Sequence, residues 1–157
     1  MEIYLSLGGN LGDRRRNIMA AVDRLDKAIG SEHVRMSALE ESPAWGFSGP
    51  PFLDCVAVYD TDRFPQDADG ARSLLTVCKR IEREMGRTDA PEYAPDGRRR
   101  YHDRTIDIDI LLFGNLRMDT AELTVPHRLI SDRPFIMKPL REVASSEIRT
   151  RFGDIFE

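Results

Sequence analysis

Several features that would place this sequence in a special class of protein are scarce or missing. Its 157 residues include only two cysteines and one tryptophan, and no internal repeat or low-complexity tract interrupts them. No apolar run approaches the roughly 20 residues that a membrane-spanning helix requires. Cys55 and Cys78 lie far apart in apolar patterns, which favours two buried thiols in a reducing compartment over a disulfide or a thiolate metal site. These absences argue against a disulfide-stabilised, repetitive or helical membrane protein.

Positive charge is not in excess either. The chain has 23 Lys and Arg residues against 27 Asp and Glu residues, for a formal net charge of -4. This balance gives no general attraction for nucleic acid or for an anionic membrane surface, so any anion site must be local. The sequence starts without a basic leader and an apolar stretch. We therefore expect a cytoplasmic protein and a monomer, with neither nucleic acid nor a membrane as its partner.

The length and the hydrophobic content of 41% suffice for one core of ordinary size, so residues 1–157 are predicted to form one domain. Period-two alternation of apolar residues predicts strands near 3–7, 34–38 and 105–113, and the apolar stretch 52–61 predicts a central strand. Helical spacing predicts a helix from the N-cap candidate Asp13 to Gly30, and a second helix that ends at Gly86. The order β-α-β-β-α-β indicates a ferredoxin-like α+β fold, an antiparallel sheet with both helices packed on one face.

Two regions outside this pattern have predictions of their own. Residues 88–103 combine glycine, proline and charge without periodicity, which predicts one long loop, and loops of that length usually have a function. After the last strand, Asp132 and Pro134 suit the cap and first turn of a short helix in a C-terminal extension. Pro139 is expected to break or restart that helix, because a proline inside a helix lacks the amide donor.

Two aspartates alternate with apolar residues in the clearest strand, at 105–113. Period-two geometry sends Asp107 and Asp109 to one face of this strand, roughly 6.5 to 7 Å apart along the backbone. Asp is a poor strand former, so two of them at alternate positions favour a function over a solvated strand face. Hard oxygen ligands without nearby cysteine suit Mg²⁺, which takes further ligands from water and substrate phosphates. The core-facing side of the strand is predicted to carry Ile106, Ile108, Ile110 and Leu112.

The loop before this strand is rich in arginine. Its four arginines are Arg98, Arg99, Arg100 and Arg104. Clustered arginines are most often a solvated surface, but guanidinium groups match phosphate oxygens, and the adjacent carboxylates favour a phosphate site here. Metal and arginine together indicate a nucleotide substrate.

Four other features have an ordinary structural interpretation. Residues 8–13, Gly-Gly-Asn-Leu-Gly-Asp, lack the Lys-Ser/Thr pair of a Walker loop and are predicted to form a structural turn. Glu82 lies beside the apolar stripe of the second helix, where a surface carboxylate is the default, and His127 would be a loop histidine. Trp45 and Phe47 fit equally a hydrophobic clamp beneath a loop and the wall of a pocket for a flat ring.

Taken in order, these motifs resemble the 6-hydroxymethyl-7,8-dihydropterin pyrophosphokinases of folate biosynthesis over nearly the whole chain. The matching strings include Tyr-Leu-Ser-Leu-Gly-Gly-Asn-Leu-Gly-Asp (4–13), Glu-Ser-Pro-Ala-Trp-Gly-Phe (41–47), Ile-Glu-Arg-Glu-Met-Gly-Arg (81–87), Arg-Thr-Ile-Asp-Ile-Asp-Ile-Leu-Leu-Phe-Gly-Asn (104–115) and Thr-Val-Pro-His (124–127). The string with the two aspartates is the most specific of them. The resemblance implies the same ferredoxin-like fold that the periodicity indicates.

The activity that the resemblance implies is transfer of a pyrophosphoryl group from ATP to a pterin alcohol. The hydroxymethyl oxygen would attack the β-phosphorus of ATP, releasing AMP and leaving a pterin diphosphate. Asp107 and Asp109 would hold two Mg²⁺ ions that bridge the ATP phosphates. Arg87 and Arg104 would neutralise phosphate charge.

The resemblance also implies contacts for each substrate. The pterin would lie between Phe52 and Phe135, with Ser42, Pro43 and Asp54 at its polar edge. The predicted ATP contacts are Glu82, Arg87, Tyr101, Arg104, Ile110, Thr124, His127 and Arg133. One departure concerns Asp54, which stands where the family usually has Asn, and an ionised carboxylate can only accept hydrogen bonds.

Two alternatives to this activity remain open from the residues. One is a catalytically silent module that binds a pterin or a nucleotide, and the other is a different Mg²⁺-dependent nucleotidyl or phosphoryl transferase. Intact Arg87, Arg104, Asp107 and Asp109 argue against the silent module. Release of AMP rather than ADP would distinguish pyrophosphoryl transfer from the second alternative.

Overall fold

The computed structural model describes residues 1–43, 49–86, 92–93, 99–100, 105–128 and 130–156, with the backbone alone for 92–93 and 99–100. The helices in this part are α1 (Arg14–Ile29), α2 (Ala68–Glu84), α3 (Pro134–Val143), α4 (Ser146–Arg151) and α5 (Gly153–Phe156). The strands are β1 (Glu2–Gly9), β2 (Arg35–Met36), β3 (Glu40–Ser42), β4 (Phe52–Asp60), β5 (Glu92–Tyr93), β6 (Arg99–Arg100), β7 (Asp107–Phe113), β8 (Met118–Asp119) and β9 (Thr124–Val125). Among these residues, no helix has the length and apolar character to cross a bilayer.

The main sheet has five strands, of which four lie in the order β2-β4-β1-β7. The fifth strand, β3, pairs with β4, as β2 also does. Every pairing within it is antiparallel. Helix α1 lies between β1 and β2 in the chain, and α2 lies between β4 and β7, so each of these connections passes over one strand of the sheet. This is the predicted ferredoxin-like α+β arrangement, which is therefore confirmed.

One face of the sheet packs on α1 and α2. Both helices begin at an aspartate whose carboxylate accepts from a free amide of the first turn, Asp13 from Arg16 (3.1 Å) and Asp67 from Gly70 (2.9 Å). Helix α1 ends at Gly30, whose φ of 84° is the left-handed conformation that glycine adopts without a steric cost. The core on this side is built from the alternating apolar residues of β1, β4 and β7, and it includes both free cysteines, which are buried as predicted.

The other face is covered over part of its area by α3, α4 and α5. Tyr4 of β1, Val56 of β4 and Leu112 of β7 belong to this second core, together with Leu140 and Phe152 from the C-terminal region. The C-terminal extension thus contains three short helices rather than the single one predicted. Because it packs on the sheet, it belongs to the folded core and not to a peripheral tail.

A polar network holds the extension to the first strand. The Glu2 carboxylate accepts hydrogen bonds from Ser145 (2.6 Å), Arg35 (2.6 Å) and Tyr4 (2.8 Å). Burial by itself would raise the pKa of Glu2, but these hydrogen bonds outweigh it and lower the pKa. The hydroxyl of Tyr4 also accepts from the amide of Ser145 at 3.1 Å, so the end of α3 is fixed over β1.

Three predictions about the elements were wrong. Leu112 lies on the second core, because a β-bulge leaves Leu111 without a partner between the pairs Leu5–Ile110 and Tyr4–Leu112 and reverses the alternation. Pro139 does not break α3, which continues through it to Val143 while burying Pro139 and Leu140; this packing offsets the hydrogen bond that a proline cannot donate. Residues 88–103 are not one structureless loop, since β5 and β6 pair within them.

Candidate active site

The two aspartates of β7 lie on the sheet face opposite α1 and α2, as the alternation predicts. Asp107 and Asp109 are half-buried. Ile108 between them is 4% exposed and belongs to the core packed on α1 and α2, which is called the helix-side core below. In the pairing of β7 with β1, Gly8 lies opposite Asp107 and Ser6 lies opposite Asp109. The neighbours of both carboxylates on the central strand are therefore small, which leaves room above the sheet for bound groups.

A third carboxylate stands across the central strand. Gly8 of β1 pairs with Asp54 of β4 on one side and with Asp107 of β7 on the other, so the three residues form one row across the sheet. A Cβ atom added to Gly8 would come within 2.4 Å of Asp54 Oδ1. The absence of a side chain at Gly8 is thus what allows the Asp54 carboxylate to lean over the central strand.

Ser42 and Asp54 form a hydrogen-bonded pair beside this row. Ser42 is buried in β3, and its hydroxyl donates to Asp54 Oδ2. Burial raises the pKa of Asp54 to about 6; the hydrogen bond from Ser42 opposes this shift, and the negative charge of Asp107 adds to it. Asp54 therefore changes its charge in the range of pH where most enzymes work, which an asparagine at this position would not do.

Asp54→Asn is expected to stabilise the protein at alkaline pH. Because the folded-state pKa of Asp54 is raised, its favourable contribution is fully present below about pH 4 and is lost as the pH rises through about 6. The variant lacks that loss, so its free energy of unfolding should exceed that of the wild type by about 2 to 3 kcal/mol at pH 8. Urea unfolding from pH 4 to pH 8 measures the difference.

A difference in unfolding free energy that does not change with pH would contradict this expectation, and the measurement at pH 4 serves as the internal control.

A separate expectation concerns ligand binding. The affinity of Asp54→Asn for the pterin, measured by calorimetry, should equal or exceed that of the wild type because the amide can donate as well as accept. A large loss of affinity would mean that the carboxylate is specifically required.

The predicted pterin-stacking residues lie on two elements that pack together. Phe52 begins β4 and is paired with Ser42 of β3, and Phe135 is in the first turn of α3, a helix that packs on β4. Both rings are half-buried. The guanidinium carbon of Arg133 lies 5.7 Å from the centroid of the Phe135 ring, a distance within the range of a cation–π interaction. Pro43, the remaining predicted pterin contact, is exposed just beyond β3.

His127 is brought into the electrostatic surroundings of the carboxylates. Its amide donates to the carbonyl of Leu111 in β7 at 3.0 Å, which ties the segment after β9 to the strand of the two aspartates. Burial lowers the pKa of its imidazole, Arg133 and Arg128 lower it further, and Asp107 opposes them. Arg133 and Asp107 thus both influence the charge of His127; the predicted contact of His127 with ATP remains a prediction.

Two further predicted ATP contacts have their side chains engaged within the protein. The Thr124 hydroxyl donates to Asp119 Oδ1 at 2.9 Å. The Ile110 side chain is 2% exposed in the helix-side core, so a contact with nucleotide could involve only its backbone. Both assignments remain predictions.

Glu82 differs most from its sequence-based interpretation as a surface carboxylate. It is 2% exposed in α2, and its Oε2 accepts a hydrogen bond of 2.8 Å from the amide of Ile108. A signal for burial exists in the sequence, since Glu82 follows the buried Cys78 by four residues, one helical turn further on. Its partner, 26 residues away on β7, has no such signal.

Asn10 holds the segment just before β4 through a contact that the sequence of the turn at 8–13 did not predict. It is 3% exposed, and its side-chain amide donates to the carbonyl of Pro50 at 3.0 Å. Arg14 adds a hydrogen bond of 3.0 Å to the carbonyl of Pro51. Together they fix the backbone that leads into Phe52. The interpretation of residues 8–13 as a structural turn remains a prediction.

Several predicted residues lie outside the part of the chain that the structure describes. They are Arg87, Arg98, Tyr101, Arg104, Trp45 and Phe47. The predicted roles of Arg87, Tyr101 and Arg104 in ATP binding, and the two alternatives for Trp45 and Phe47, therefore remain predictions. The same applies to the side chains of Arg99 and Arg100.

The chemistry of the donor groups fits Mg²⁺. Within the described residues, no group of three or more His, Cys, Asp and Glu side chains forms a closed metal cage. Asp107 and Asp109 offer two carboxylates on one face of β7, which suits an ion that keeps several waters and completes its shell with substrate phosphates. They do not suit Zn²⁺ at a structural site, since that ion requires four protein ligands.

Comparison with known proteins places the chain in one family. A family model described as 7,8-dihydro-6-hydroxymethylpterin-pyrophosphokinase (HPPK) matches residues 4–145. The 2-amino-4-hydroxy-6-hydroxymethyldihydropteridine pyrophosphokinase of Porphyromonas gingivalis is 39% identical over 144 residues, which cover 90% of each chain. The enzyme of the same name from Aquifex aeolicus is 35% identical over 147 residues, or 93% of this chain and 82% of that one.

A longer relative carries the same region as part of a larger protein. The folate synthesis bifunctional protein, mitochondrial, of Pisum sativum is 37% identical over 148 residues, which cover 94% of this chain and 26% of the pea protein. The fold, the acidic site and these matches define a pyrophosphate-transferring enzyme. The chain belongs to the 7,8-dihydro-6-hydroxymethylpterin-pyrophosphokinase family. Its activity is pyrophosphoryl transfer from ATP to hydroxymethyldihydropterin in folate biosynthesis, and the activity predicted from the motifs is confirmed.

Proposed function

We propose that Asp107 and Asp109 hold two Mg²⁺ ions against the phosphates of ATP while the pterin alcohol lies across the central strand beside Asp54. The observation that supports this most directly is the pair of carboxylates on one face of β7, opposite the small residues Ser6 and Gly8. When bound, the ions neutralise phosphate charge and orient the triphosphate for in-line displacement.

The side chains of the protein have separate tasks in this proposal. Phe52 and Phe135 hold the two faces of the pterin ring, while Ser42, Pro43 and Asp54 meet its polar edge. Such contacts fix the hydroxymethyl oxygen in line with the β-phosphorus, and positioning of this kind supplies much of the rate in phosphoryl transfer. The ribose and base of ATP lie towards Thr124, His127 and Arg133, with Tyr101 and Ile110 on the same side. Arg87 and Arg104 compensate the charge of the phosphates.

Proton transfer needs no dedicated side chain in this mechanism. The attacking oxygen displaces AMP from the β-phosphorus, so one P–O bond forms as another breaks, and the hydroxyl proton leaves to solvent. Charge neutralisation and alignment matter more for such a reaction than a strong base. For that reason we assign no general base to Asp54 or His127.

The products and their metal dependence test the proposal. ATP and 6-hydroxymethyl-7,8-dihydropterin are incubated with the protein, with Mg²⁺ or with EDTA, and the products are separated by liquid chromatography. AMP and the pterin diphosphate should form in equal amounts with Mg²⁺ and should be absent with EDTA. Release of ADP would identify a different phosphoryl transfer, and equal AMP release in EDTA would remove the metal from the mechanism.

The exposed apolar residues and the free cysteines bear on the oligomeric state and the compartment of the protein. We propose that residues 1–157 form one domain that works as a monomer in the cytoplasm. The large hydrophobic side chains exposed in the described part of the chain are Leu11, Met19 and Val34, which come from three separate segments and are too few for an obligate interface. Buried free thiols at Cys55 and Cys78 suit a reducing compartment.

A further inference from the structure

The backbone between the two metal-binding aspartates is held from inside the protein. Ile108 separates Asp107 from Asp109, and β7 is the terminal strand in the order β2-β4-β1-β7. Alternate amides of a terminal strand point away from the sheet and lack a strand partner. The amide of Ile108 has its partner on α2 instead, at Glu82 Oε2, 2.8 Å away.

A carboxylate at this place is costly for the fold. Glu82 is 2% exposed and lies among Cys78, Ile81 and other core residues of α2. Burial, followed by the negative charges of Glu82 and Asp109, raises the pKa of the Cys78 thiol. Burying a carboxylate is unfavourable compared with burying an apolar side chain of similar volume.

The geometry connects Glu82 to the orientation of the acidic pair. The amide of Ile108 and the carbonyl of Asp107 belong to one planar peptide unit. A rotation of that plane changes the backbone dihedral angles at Asp107 and Ile108. It therefore changes the distance between the Asp107 and Asp109 side chains where they project from the strand. A hydrogen bond with a carboxylate as acceptor is stronger than one between neutral groups, so it restricts this rotation.

We propose that Glu82 is a positioning residue that sets the spacing of the Asp107 and Asp109 carboxylates through the backbone amide of Ile108. This inference rests on the proposed function, in which those carboxylates hold Mg²⁺. It gives Glu82 a task on the protein side of the site and replaces the direct nucleotide contact implied by the resemblance. Its effect reaches ATP through the metal requirement and not through contacts with the base or ribose.

Two variants separate the hydrogen bond from the carboxylate itself. Glu82→Gln keeps an acceptor oxygen at the same reach, and Glu82→Leu keeps the volume but removes the acceptor. Calorimetry with α,β-methylene-ATP measures the Mg²⁺ concentration needed for half-maximal binding of this nonhydrolysable analogue. Steady-state kinetics give kcat and the KM for ATP, and the amide proton shift of Ile108 in a ¹⁵N-labelled sample reports the hydrogen bond directly.

Glu82→Leu should raise the required Mg²⁺ concentration by about 10-fold and lower kcat by about 10- to 100-fold. For Glu82→Gln, the required Mg²⁺ concentration and kcat should each stay within about 3-fold of the wild type, since a neutral acceptor remains. The amide proton shift of Ile108 should change less in Glu82→Gln than in Glu82→Leu. If Glu82→Leu does not fold, Glu82→Asp replaces it, because shortening the side chain by one methylene withdraws the carboxylate from the amide. The same direction of change is expected.

A matched control excludes a general loss of stability. Leu74 is fully buried in the apolar stripe of α2 and belongs to the helix-side core. Leu74→Ala should lower the melting temperature as much as Glu82→Leu or more, yet leave the Mg²⁺ requirement unchanged. If Leu74→Ala shifts the Mg²⁺ requirement as far as Glu82→Leu, the effect belongs to the stability of α2 and the proposal fails.

Other outcomes would also overturn the role of Glu82. An unchanged Mg²⁺ requirement and kcat in Glu82→Leu would show that the hydrogen bond does not set the site. An equal rise in the KM for ATP in both variants, with the Mg²⁺ requirement unchanged, would mean that Glu82 contacts the nucleotide directly. A wild-type protein that binds the analogue independently of Mg²⁺ would instead refute the proposed function of Asp107 and Asp109, whatever the Glu82 variants do.

Discussion

Asp107→Ala and Asp109→Ala are each expected to lower kcat by at least about 1,000-fold while the fold survives. Removing one carboxylate of the pair would remove part of the proposed Mg²⁺ site. Neutralisation of phosphate charge by a metal ion supplies several kcal/mol of transition-state stabilisation, and about 1.4 kcal/mol corresponds to tenfold in rate. Neither side chain belongs to the core on α1 and α2. Rates of AMP formation at saturating ATP, pterin and Mg²⁺ measure the loss.

The stability of these variants is the necessary companion measurement. Asp107 also raises the pKa of Asp54, so its removal relieves the repulsion between these two carboxylates. The melting temperature of each variant is therefore measured beside kcat. Asp23→Asn is a suitable control, because Asp23 pairs with Lys27 at 2.9 Å on the exposed surface of α1, and exposed pairs contribute little. Near-normal kcat in either Asp107→Ala or Asp109→Ala would refute the metal assignment.

The parts of the fold that could be predicted from sequence are those specified by local periodicity. Alternation in β1, β4 and β7, the caps at Asp13 and Gly30, and the helical stripe of α2 each depend on residues a few positions apart. They define the order of elements, and the rules for connecting them leave few topologies. The acidic pair belongs to the same category, because two aspartates separated by one residue in a strand must share a face.

The parts that could not be predicted depend on contacts between distant segments. The bulge that places Leu112 on the second core arises from the register of β7 with β1, more than 100 residues earlier in the chain. Pro139 is tolerated in α3 because the helix is buried against β4, so tertiary packing outweighs the local preference. Neither effect is visible in a window of neighbouring residues.

The candidate site divides in the same way. The motifs that identify the family place Asp107, Asp109 and Asp54 in their strands, but only the sheet register shows that Gly8 separates Asp54 from Asp107. Burial decides the pKa of Asp54, and burial is a property of the whole fold. Glu82 is the clearest case, because its partner amide lies on a strand that the sequence gives no reason to pair with α2.

Gly70→Ala is expected to destabilise the protein by about 1 to 3 kcal/mol, although it introduces the best helix former into α2. Within a helix, Ala is favoured over Gly by about 1 kcal/mol. Here the added Cβ would lie 1.9 Å from the carbonyl oxygen of Pro65 and 2.9 Å from its carbonyl carbon. Both atoms are backbone, and the ring of Pro65 fixes its φ, so the chain entering the helix cannot simply turn aside.

Relieving this overlap would disturb the start of α2. The amide of Gly70 donates to the Asp67 carboxylate at 2.9 Å, and loss of such a cap costs about 1 kcal/mol. Shifting the helix to spare Pro65 would also disturb the packing of Ala71 and Leu74, which are fully buried, and strain of that kind costs about 1 to 3 kcal/mol. These costs together exceed the gain in helix propensity.

Urea unfolding of Gly70→Ala and Gly86→Ala provides the comparison. Gly86, just after the other end of α2, has a φ of 97°, and within the described residues no atom lies within 4 Å of its Cβ position. The expected cost of alanine there is therefore the backbone cost of about 1 to 2 kcal/mol. Gly70→Ala should therefore lose more free energy of unfolding than Gly86→Ala. If Gly70→Ala is as stable as the wild type, the close approach of Pro65 to α2 is not maintained in solution. The close packing of Pro65 on the first turn of α2, which helps to hold α2 and Glu82 against β7, would then have to be revised.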